Sequence, residues 1–204
     1  MLNVNGGYDE GYKAVPCLWG TAPGSLVRAF LDTHDARGLH VLDVGAGEGK
    51  NAAAFARRGA NVDALECSSA AIKNGKVAFR DARMNWIEAD AETFAFPAGC
   101  YDVVISYGLT HCMRSEAAAE RVVACTKAAA KLGGVYMLVS FNDGSHDLSA
   151  HPGFEPLLMS HAWFLDAFAD WNILSATDSI RHETHPHNQI PHHHSLTHLV
   201  ARRQ

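Results

Sequence analysis

The sequence predicts an α/β fold, an open sheet of seven mostly parallel strands with helices on both faces and an antiparallel strand at the C-terminus. The 204 residues suit a single domain spanning residues 1–204. Short apolar segments alternate with helical patterns from residue 40 to residue 141, as in parallel strands joined by helices. Two strand-like segments near the C-terminus have no helix between them, so we expect them to pair antiparallel.

Each element is predicted from its local pattern. Pro23 opens the first helical pattern, in which Leu26, Val27, Phe30 and Leu31 recur at helical spacing. The predicted strands are 40–44, 61–66, 84–89, 101–107, 135–141, 171–180 and 195–202. The predicted helices are 50–58, 68–82, 115–132, which ends at Gly133-Gly134, and 161–169, which Ser160 caps. Residues 1–20 and 142–159 show no period and are predicted to be irregular.

Composition excludes several classes of protein. Hydrophobic residues make up 48% of the chain, which is too many for a disordered protein. A net charge of −5 argues against a nucleic-acid partner, because phosphate binding needs a basic surface. No apolar run is long enough for a membrane span, and the N-terminus lacks the apolar stretch of a signal peptide, so we expect a cytoplasmic protein without a membrane partner. The five scattered cysteines contain no CxxC and predict neither a disulfide framework nor a thiolate zinc site.

A glycine-rich turn, Gly45–Gly49, lies between the first two predicted elements of the core. Glycines allow close approach of a ligand, and the N-terminus of the following helix favours an anionic group. Lys50 does not fit the last position of a dinucleotide fingerprint, and Val44 and Asn51 do not fit a P-loop. With both of these motifs excluded, the remaining pattern is a GxGxG turn preceded by an acid, Asp43, two residues earlier.

Two further carboxylates end neighbouring strands. Glu66 ends the second strand, where it can accept hydrogen bonds from both hydroxyls of a ribose, and Asp90 follows the third, where it can accept from an adenine amino group. Open α/β sheets bind ligands at the carboxyl ends of their strands. The first three strand ends therefore predict one binding crevice.

Four features occur in order between about residues 40 and 141: the segment VLDVGAGEG, Glu66, the dipeptide AD followed by FAFP, and the segment YDVVISYGLTH. In combination they resemble the class I S-adenosylmethionine-dependent methyltransferases. The resemblance implies a Rossmann-like fold and S-adenosylmethionine as cofactor. Residues 17–24 and 191–202 further resemble the small, single-domain branch near the tellurite-resistance methyltransferases. The residues that the resemblance assigns to the cofactor are Asp43, Gly45, Gly47 and Gly49 for the methionine part, Glu66 for the ribose, Asp90 and Ala91 for the adenine, and Tyr107 near the transferred methyl. Cys67 is also predicted to bind the cofactor.

The resemblance implies in-line transfer of a methyl group to a small-molecule metabolite. Enzymes that methylate DNA or glutamine side chains resemble one another in an Asn/Asp-Pro-Pro-aromatic motif after the fourth strand. This chain has Ser106-Tyr107-Gly108-Leu109 at that place, so that class of enzyme is disfavoured. We assign residues 40–141 to the cofactor-binding core, residues 1–22 to an N-terminal lid, and residues 142–160 and 181–194 to loops beside the acceptor.

His111 is the candidate general base, because it follows the fourth strand and imidazole titrates near neutral pH. The alternative is a histidine that is hydrogen-bonded to loop backbone. Tyr12 and Trp19 are substrate-side candidates that could close over the ligands, or they could be a hydrophobic plug beneath the first helix.

Seven of the thirteen histidines lie within residues 182–198. They could bind a metal, line an acceptor pocket or form a solvated hairpin. Strand alternation places His192, His194 and His198 on one face and His193 on the other. Because no standard zinc spacing occurs, no metal is assigned, and His182, His192 and His194 are predicted to lie on the substrate side.

Three other functions fit parts of the pattern. A protein that senses S-adenosylmethionine, or a non-methylating cyclase or lyase on the same fold, would carry the same cofactor motifs. An α/β oxidoreductase is disfavoured by Lys50.

Overall fold

The computed structural model describes residues 8–185 and 188–204. The predictions for residues 1–7 and 186–187 lie outside the described residues. The strands are β1 (His40–Val44), β2 (Asn61–Glu66), β3 (Asn85–Glu88), β4 (Tyr101–Tyr107), β5 (Ala130–His146), β6 (Asn172–His185) and β7 (Asn188–Arg202). The helices are α1 (Tyr8–Ala14), α2 (Ser25–Thr33), α3 (Lys50–Ala56), α4 (Ser69–Ala78), α5 (Glu116–Ala129) and α6 (His161–Ala167).

The strands form one sheet in the order β3-β2-β1-β4-β5-β7-β6. β1 pairs in parallel with β2 and β4, β2 pairs in parallel with β3, and β4 pairs in parallel with β5. β7 lies between β5 and β6 and is antiparallel to both. The predicted fold class, a mostly parallel sheet of seven strands with an antiparallel C-terminal strand, is confirmed.

The central strands are buried on both faces of the sheet, which explains why they are apolar at consecutive positions. Val41 of β1 packs with Val103 into the core beneath α2 and α3, whereas the next residue, Leu42, packs with Val104 into the core on the opposite face. The carboxyl ends of these strands therefore emerge at one edge between two covered faces, where loops can enclose a ligand.

The prediction that the helix before Gly133 runs to residue 132 was wrong. α5 ends at Ala129, and Ala130 already pairs with Tyr101 of β4. A Cβ on Gly134 would lie 3.1 Å from the carbonyl oxygen of Tyr101, which is tighter than most real contacts. Gly134 thus serves close strand pairing, a constraint that helical periodicity does not reveal.

Two segments predicted to be irregular are regular. Tyr8–Ala14 is helical, with Asp9 and Glu10 in its first turn and Lys13 in its last, as the helix dipole favours. The predicted loop at 142–160 begins as strand, because β5 continues to His146, which pairs with His194.

The predicted loop at 181–194 is largely a β-hairpin. Arg181 pairs with His194, His182 with His193, and Glu183 with His192. The rings of His182 and His193 lie 5.5 Å apart, so their contact supports the ladder. Histidine content indicated a loop here, whereas cross-strand pairing produces strands.

Three local predictions about capping, thiols and membranes can be compared with the structure. Ser160 caps α6 as predicted, since its hydroxyl accepts a hydrogen bond from the Trp163 amide. All five cysteines are free thiols. Within residues 8–185 and 188–204, the helices are all too short or too polar to cross a bilayer.

Candidate active site

A cavity of about 540 Å³ opens at the carboxyl edge of the sheet. Its walls come from the glycine turn, the ends of β2 and β4, residues 139–141 within β5, the loop after β3, the N-terminal segment and the β6–β7 hairpin. The predicted site residues that line it are Tyr12, Trp19, Gly45, Gly47, Glu66, Cys67, Asp90, Ala91, Tyr107 and His111. The predicted site residues that do not line it are Asp43, Gly49, His182, His192 and His194.

Asp43 lies beneath the glycine turn. Its side chain is 1% exposed, and its Oδ2 accepts a hydrogen bond from the Ala52 amide in α3 at 3.0 Å. Burial raises the pKa of this carboxyl to about 7. Asp43 therefore fixes the start of α3 relative to β1 and acts on a ligand only through the turn that it supports.

Glu66 connects β2 to the glycine turn. Its Oε2 accepts from the Gly47 amide at 2.8 Å, and its Oε1 accepts from the Ser68 amide at 2.8 Å. Each carboxylate oxygen can accept a second hydrogen bond. Glu66 is thus held in a fixed position on the cavity wall with acceptor capacity left for ligand hydroxyls. The neighbouring Cys67 also lines the cavity, and partial desolvation together with the adjacent Glu66 carboxylate raises the pKa of its thiol to about 12, which makes it a poor nucleophile.

Two glycines of the turn make room for different aromatic side chains. A Cβ on Gly47 would lie 2.8 Å from Tyr12 Oη, so Tyr12 packs directly on the turn. A Cβ on Gly49 would lie 2.6 Å from Trp86, on the side away from the cavity. Gly47 thus lines the cavity, and Gly49 packs behind the turn against Trp86.

Asp90 has a charged partner that the sequence did not reveal. Its Oδ2 accepts from Arg114 Nη2 at 2.6 Å, and its Oδ1 accepts from the Glu92 amide at 2.9 Å. Arg114 also lies 3.4 Å from the Glu92 carboxylate. The loop after β3 is therefore tied to the segment after β4, and Asp90 is oriented at the cavity wall.

The side chains that begin α3 hold the N-terminal segment over the turn. Glu48, which is 5% exposed, accepts the Cys17 and Leu18 amides at 2.7 Å each. Lys50 donates to the Trp19 carbonyl at 3.0 Å, and Asn51 accepts from the Gly24 amide at 2.8 Å. Sequence reasoning missed Glu48 because its position in the glycine motif carries no pattern of its own.

Tyr12 and Trp19 are brought together at the cavity. Trp19 Nε1 donates to Tyr12 Oη at 3.2 Å, and the Trp19 ring contacts Tyr8 edge-on at a centroid distance of 5.2 Å. Tyr12 is 7% exposed, and burial raises the pKa of its hydroxyl well above the usual value. The segment packs as an aromatic layer across the glycine turn.

Tyr107 ends β4 beside this layer. Its hydroxyl is buried and has no hydrogen-bond partner within the described part of the chain. A Cβ on Gly24 would lie 2.4 Å from its ring, so the N-terminal segment covers it closely. The Tyr107 hydroxyl is thus available to a ligand in the cavity.

The surroundings of His111 favour the backbone-bonded alternative over the general base. The ring is 4% exposed, and its Nδ1 accepts from the Phe141 amide at 3.1 Å. The neutral ring therefore carries its proton on Nε2, and its free lone pair is already engaged. Burial, with smaller contributions from His146 and His151, lowers the pKa of His111 to about 3. His111 is arranged to donate from Nε2 rather than to accept a proton.

The histidines predicted to lie on the substrate side are placed differently. His182 is exposed, as the solvated-hairpin interpretation requires, but that interpretation is wrong for His192 and His194, which are 3% and 0% exposed. His182 and His192 line a second cavity of about 430 Å³, which shares Glu183 and Thr184 with the first.

His151 and His185 are the histidines that line the first cavity together with His111. The sequence pattern could not single out these two residues, because His151 lies in an aperiodic loop and His185 is one of a run of histidines. Their position follows from the hairpin and from the loop that folds across it.

Comparison with known proteins supports a methyltransferase domain in this chain. Residues 41–134 match the family model of a methyltransferase domain. An uncharacterized methyltransferase of Mycobacterium tuberculosis is 34% identical over 84 residues, which cover 41% of this chain and 43% of that protein. The match thus spans less than half of the length of this curated relative.

Solved structures agree over the whole chain. A protein whose structure concerns the conversion of a disulfide bond into a thioacetal group during echinomycin biosynthesis has a TM-score of 0.74 at 24% identity, covering 99% of this chain and 93% of that one. TehB of Haemophilus influenzae has a TM-score of 0.73 at 15% identity, covering 99% of this chain and 68% of that one. At these identities, the likenesses concern the fold alone.

Residues 41–134 are therefore similar to a methyltransferase domain, and they lie within a Rossmann-like sheet of the order described above. The domain match supports S-adenosylmethionine as the cofactor.

Proposed function

We propose that this chain transfers the methyl group of S-adenosylmethionine to a small-molecule metabolite by in-line displacement. The observation that carries the proposal is that one cavity of about 540 Å³ joins Glu66 and the glycine turn to Phe141 of β5. This volume is typical of a small-molecule site. Because the cofactor would occupy part of it, the remaining space suits a small acceptor.

The residues at the first end fit the cofactor. Glu66 would accept hydrogen bonds from the ribose hydroxyls, Asp90 from the adenine amino group, and the Gly45–Gly47 backbone would lie along the methionine part. When bound, the cofactor supplies a methyl group on a sulfonium cation. Tyr107, with its buried hydroxyl, would lie beside that group.

The residues at the other end fit a role in orientation and water exclusion. Phe141 stacks on His111 at a centroid distance of 4.1 Å, and Trp19 contacts His185 edge-on at 4.9 Å. Rigid aromatic walls align an acceptor, and alignment can supply roughly 7–11 kcal/mol in the best cases. His111 would orient the acceptor by donating a hydrogen bond from Nε2.

The direct test is transfer of labelled methyl from S-adenosylmethionine into a fractionated metabolite extract. We expect label in a small-molecule fraction, lost in Glu66→Ala and retained in Glu88→Ala, which removes an exposed acid from the end of the neighbouring strand. Label in protein or nucleic acid would contradict the metabolite acceptor.

A binding measurement separates the cofactor site from the reaction. By calorimetry, S-adenosylhomocysteine should bind wild type and Glu88→Ala equally and Glu66→Ala about 100-fold more weakly. In Glu66→Ala, the ribose hydroxyls lose their charged acceptor, and the two buried amides that orient this wall lose theirs. Equal affinity in all three would contradict the assigned site. Binding without transfer into any fraction would instead favour a sensor or a non-methylating enzyme.

A further inference from the structure

Three imidazoles converge between the two cavities. His151 lies in the loop after β5, His185 ends β6 and His192 lies on β7, and one ring nitrogen of each lies within 4.8 Å of the others. The Nε2 atoms of His151 and His185 are 3.1 Å apart, and His194 Nε2 lies 3.3 Å from His151 Nε2. Nitrogen atoms from three separate segments therefore surround one point.

His192 is fixed in the tautomer that a metal requires. Its Nδ1 donates to the Ile190 carbonyl at 2.8 Å, so its Nε2 carries a lone pair. That Nε2 is buried without a hydrogen-bond partner in residues 8–185 and 188–204, and the residue is 3% exposed. A buried polar atom without a partner is costly, and metal-ligating histidines characteristically donate their other nitrogen to a carbonyl or carboxylate.

The spacing of the nitrogens matches a coordination shell. Two imidazoles bound tetrahedrally at 2.0–2.1 Å from a zinc ion lie roughly 3.3–3.4 Å apart. The Nε2 atoms of His151 and His185 differ from that separation by only a few tenths of an ångström. Small ring rotations would therefore complete the arrangement without moving the backbone.

We propose that His151, His185 and His192 bind one divalent transition-metal ion, for which Zn²⁺ is the best match. Three neutral imidazoles suit zinc and related ions, whereas Mg²⁺ and Ca²⁺ prefer oxygen ligands. Glu183 with His192 and His194 forms a second convergent set. The carboxylate of Glu183 already pairs with Arg181 at 2.9 Å, which favours the three-histidine set.

The ion would face the acceptor end of the first cavity, because His151 and His185 line that cavity. Three protein ligands leave a fourth position for water or substrate, as in catalytic zinc sites. An acceptor thiol or hydroxyl bound there would release its proton to solvent more readily. This consequence rests on the proposed function, and it would remove the need for His111 as a base.

The test uses the full chain without a histidine tag, treated with a chelator and then dialysed. Zn²⁺ is titrated by calorimetry and Co²⁺ by visible absorption. We expect one equivalent of each, with Co²⁺ giving the intense visible bands of four- or five-coordinate geometry. His192→Ala should weaken binding by more than about 100-fold, since loss of even an outer-shell partner costs 10–100-fold.

His182→Ala is the matched control, because this exposed histidine lies on the same hairpin outside the convergent set. We expect wild-type metal affinity in this variant. His185→Gln provides a second ligand variant if circular dichroism shows that His192→Ala does not fold.

Two results would overturn the proposal. One is the absence of stoichiometric binding to wild type, and the other is equal affinity in His192→Ala and His182→Ala. Loss of binding in Glu183→Gln but not in His151→Ala would overturn the ligand set. Binding of S-adenosylhomocysteine, measured separately, should not change in His192→Ala, so failure of the cofactor site is distinguishable from failure of the metal site.

Discussion

The two ends of the cavity satisfy their polar groups in opposite ways. At the glycine turn, the carboxylates of Asp43, Glu48 and Glu66 accept backbone amides of neighbouring segments. At the hairpin, His151, His185 and His194 meet one another through ring nitrogens, and His192 Nε2 is buried without a partner in the described residues.

The difference separates a preorganised end from an adaptable one. Acceptors that already hold backbone donors cannot move without exposing buried amides, so the turn keeps one shape whether or not a ligand is present. Imidazoles in mutual contact can exchange protons or take a metal ion while the backbone stays in place. A common cofactor suits the first end, and a chain-specific acceptor suits the second.

Asp43 gives the largest expected effect and tests whether the preorganised end is structural. Its pKa is raised by burial from the ordinary 3.8 to about 7, so the folded chain keeps a proton that the unfolded chain releases. Wild-type stability should therefore fall as pH rises from about 4 to about 7, by at most about 4 kcal/mol. Asp43→Asn, which does not titrate, should lack this loss.

Urea unfolding at pH 4.5, 5.5 and 7 checks this expectation. Asp32→Asn, at an exposed position of α2, is the control and should follow wild type. If the free energies of unfolding of Asp43→Asn and wild type change in parallel with pH, Asp43 is ionised in the folded chain. Its carboxyl would then not be a protonated structural group of the preorganised end.

Glu48 gives an intermediate effect and tests how firmly the N-terminal segment is held. Glu48→Gln removes the charge and leaves an amide group facing one of the two backbone donors, Cys17 and Leu18. Hydrogen bonds to charged groups contribute about 1.5–3 kcal/mol each. Hydrogen exchange at these amides, followed by NMR, should accelerate roughly 10–100-fold.

The exposed Glu10 of α1 provides the control variant, Glu10→Gln. Its effect on exchange at Cys17 and Leu18 should be within about twofold. Unchanged exchange in Glu48→Gln would mean that Lys50 and Asn51 suffice to hold the segment.

The smallest effect is expected at His111, whose ring should not titrate near neutral pH. Because burial lowers its pKa to about 3, the ring should remain neutral from pH 5 to pH 8. Long-range ¹H–¹⁵N spectra should show a protonated Nε2 and an unprotonated Nδ1, with the signals assigned by their loss in His111→Asn. A titration between pH 5 and pH 8 would restore His111 as a candidate base.

The sequence by itself determined the cofactor half of the molecule. Strand length, helical spacing and the glycine turn are local patterns, so the order from β1 to β5 and the positions of Glu66 and Asp90 at strand ends could be predicted. The antiparallel placement of β7 also followed, since no helix separates it from β6.

Only the tertiary structure decided the contacts between distant segments, both in the N-terminal segment above the glycine turn and in the acceptor half. Glu48 reaches an amide 31 residues away in the chain, and the cluster of His151, His185 and His192 draws on three segments. No spacing rule covers such contacts, because each residue's burial and hydrogen-bond partners depend on how the loop after β5 folds across the hairpin. Side-chain chemistry was readable from the sequence, but the convergence of these side chains required the fold.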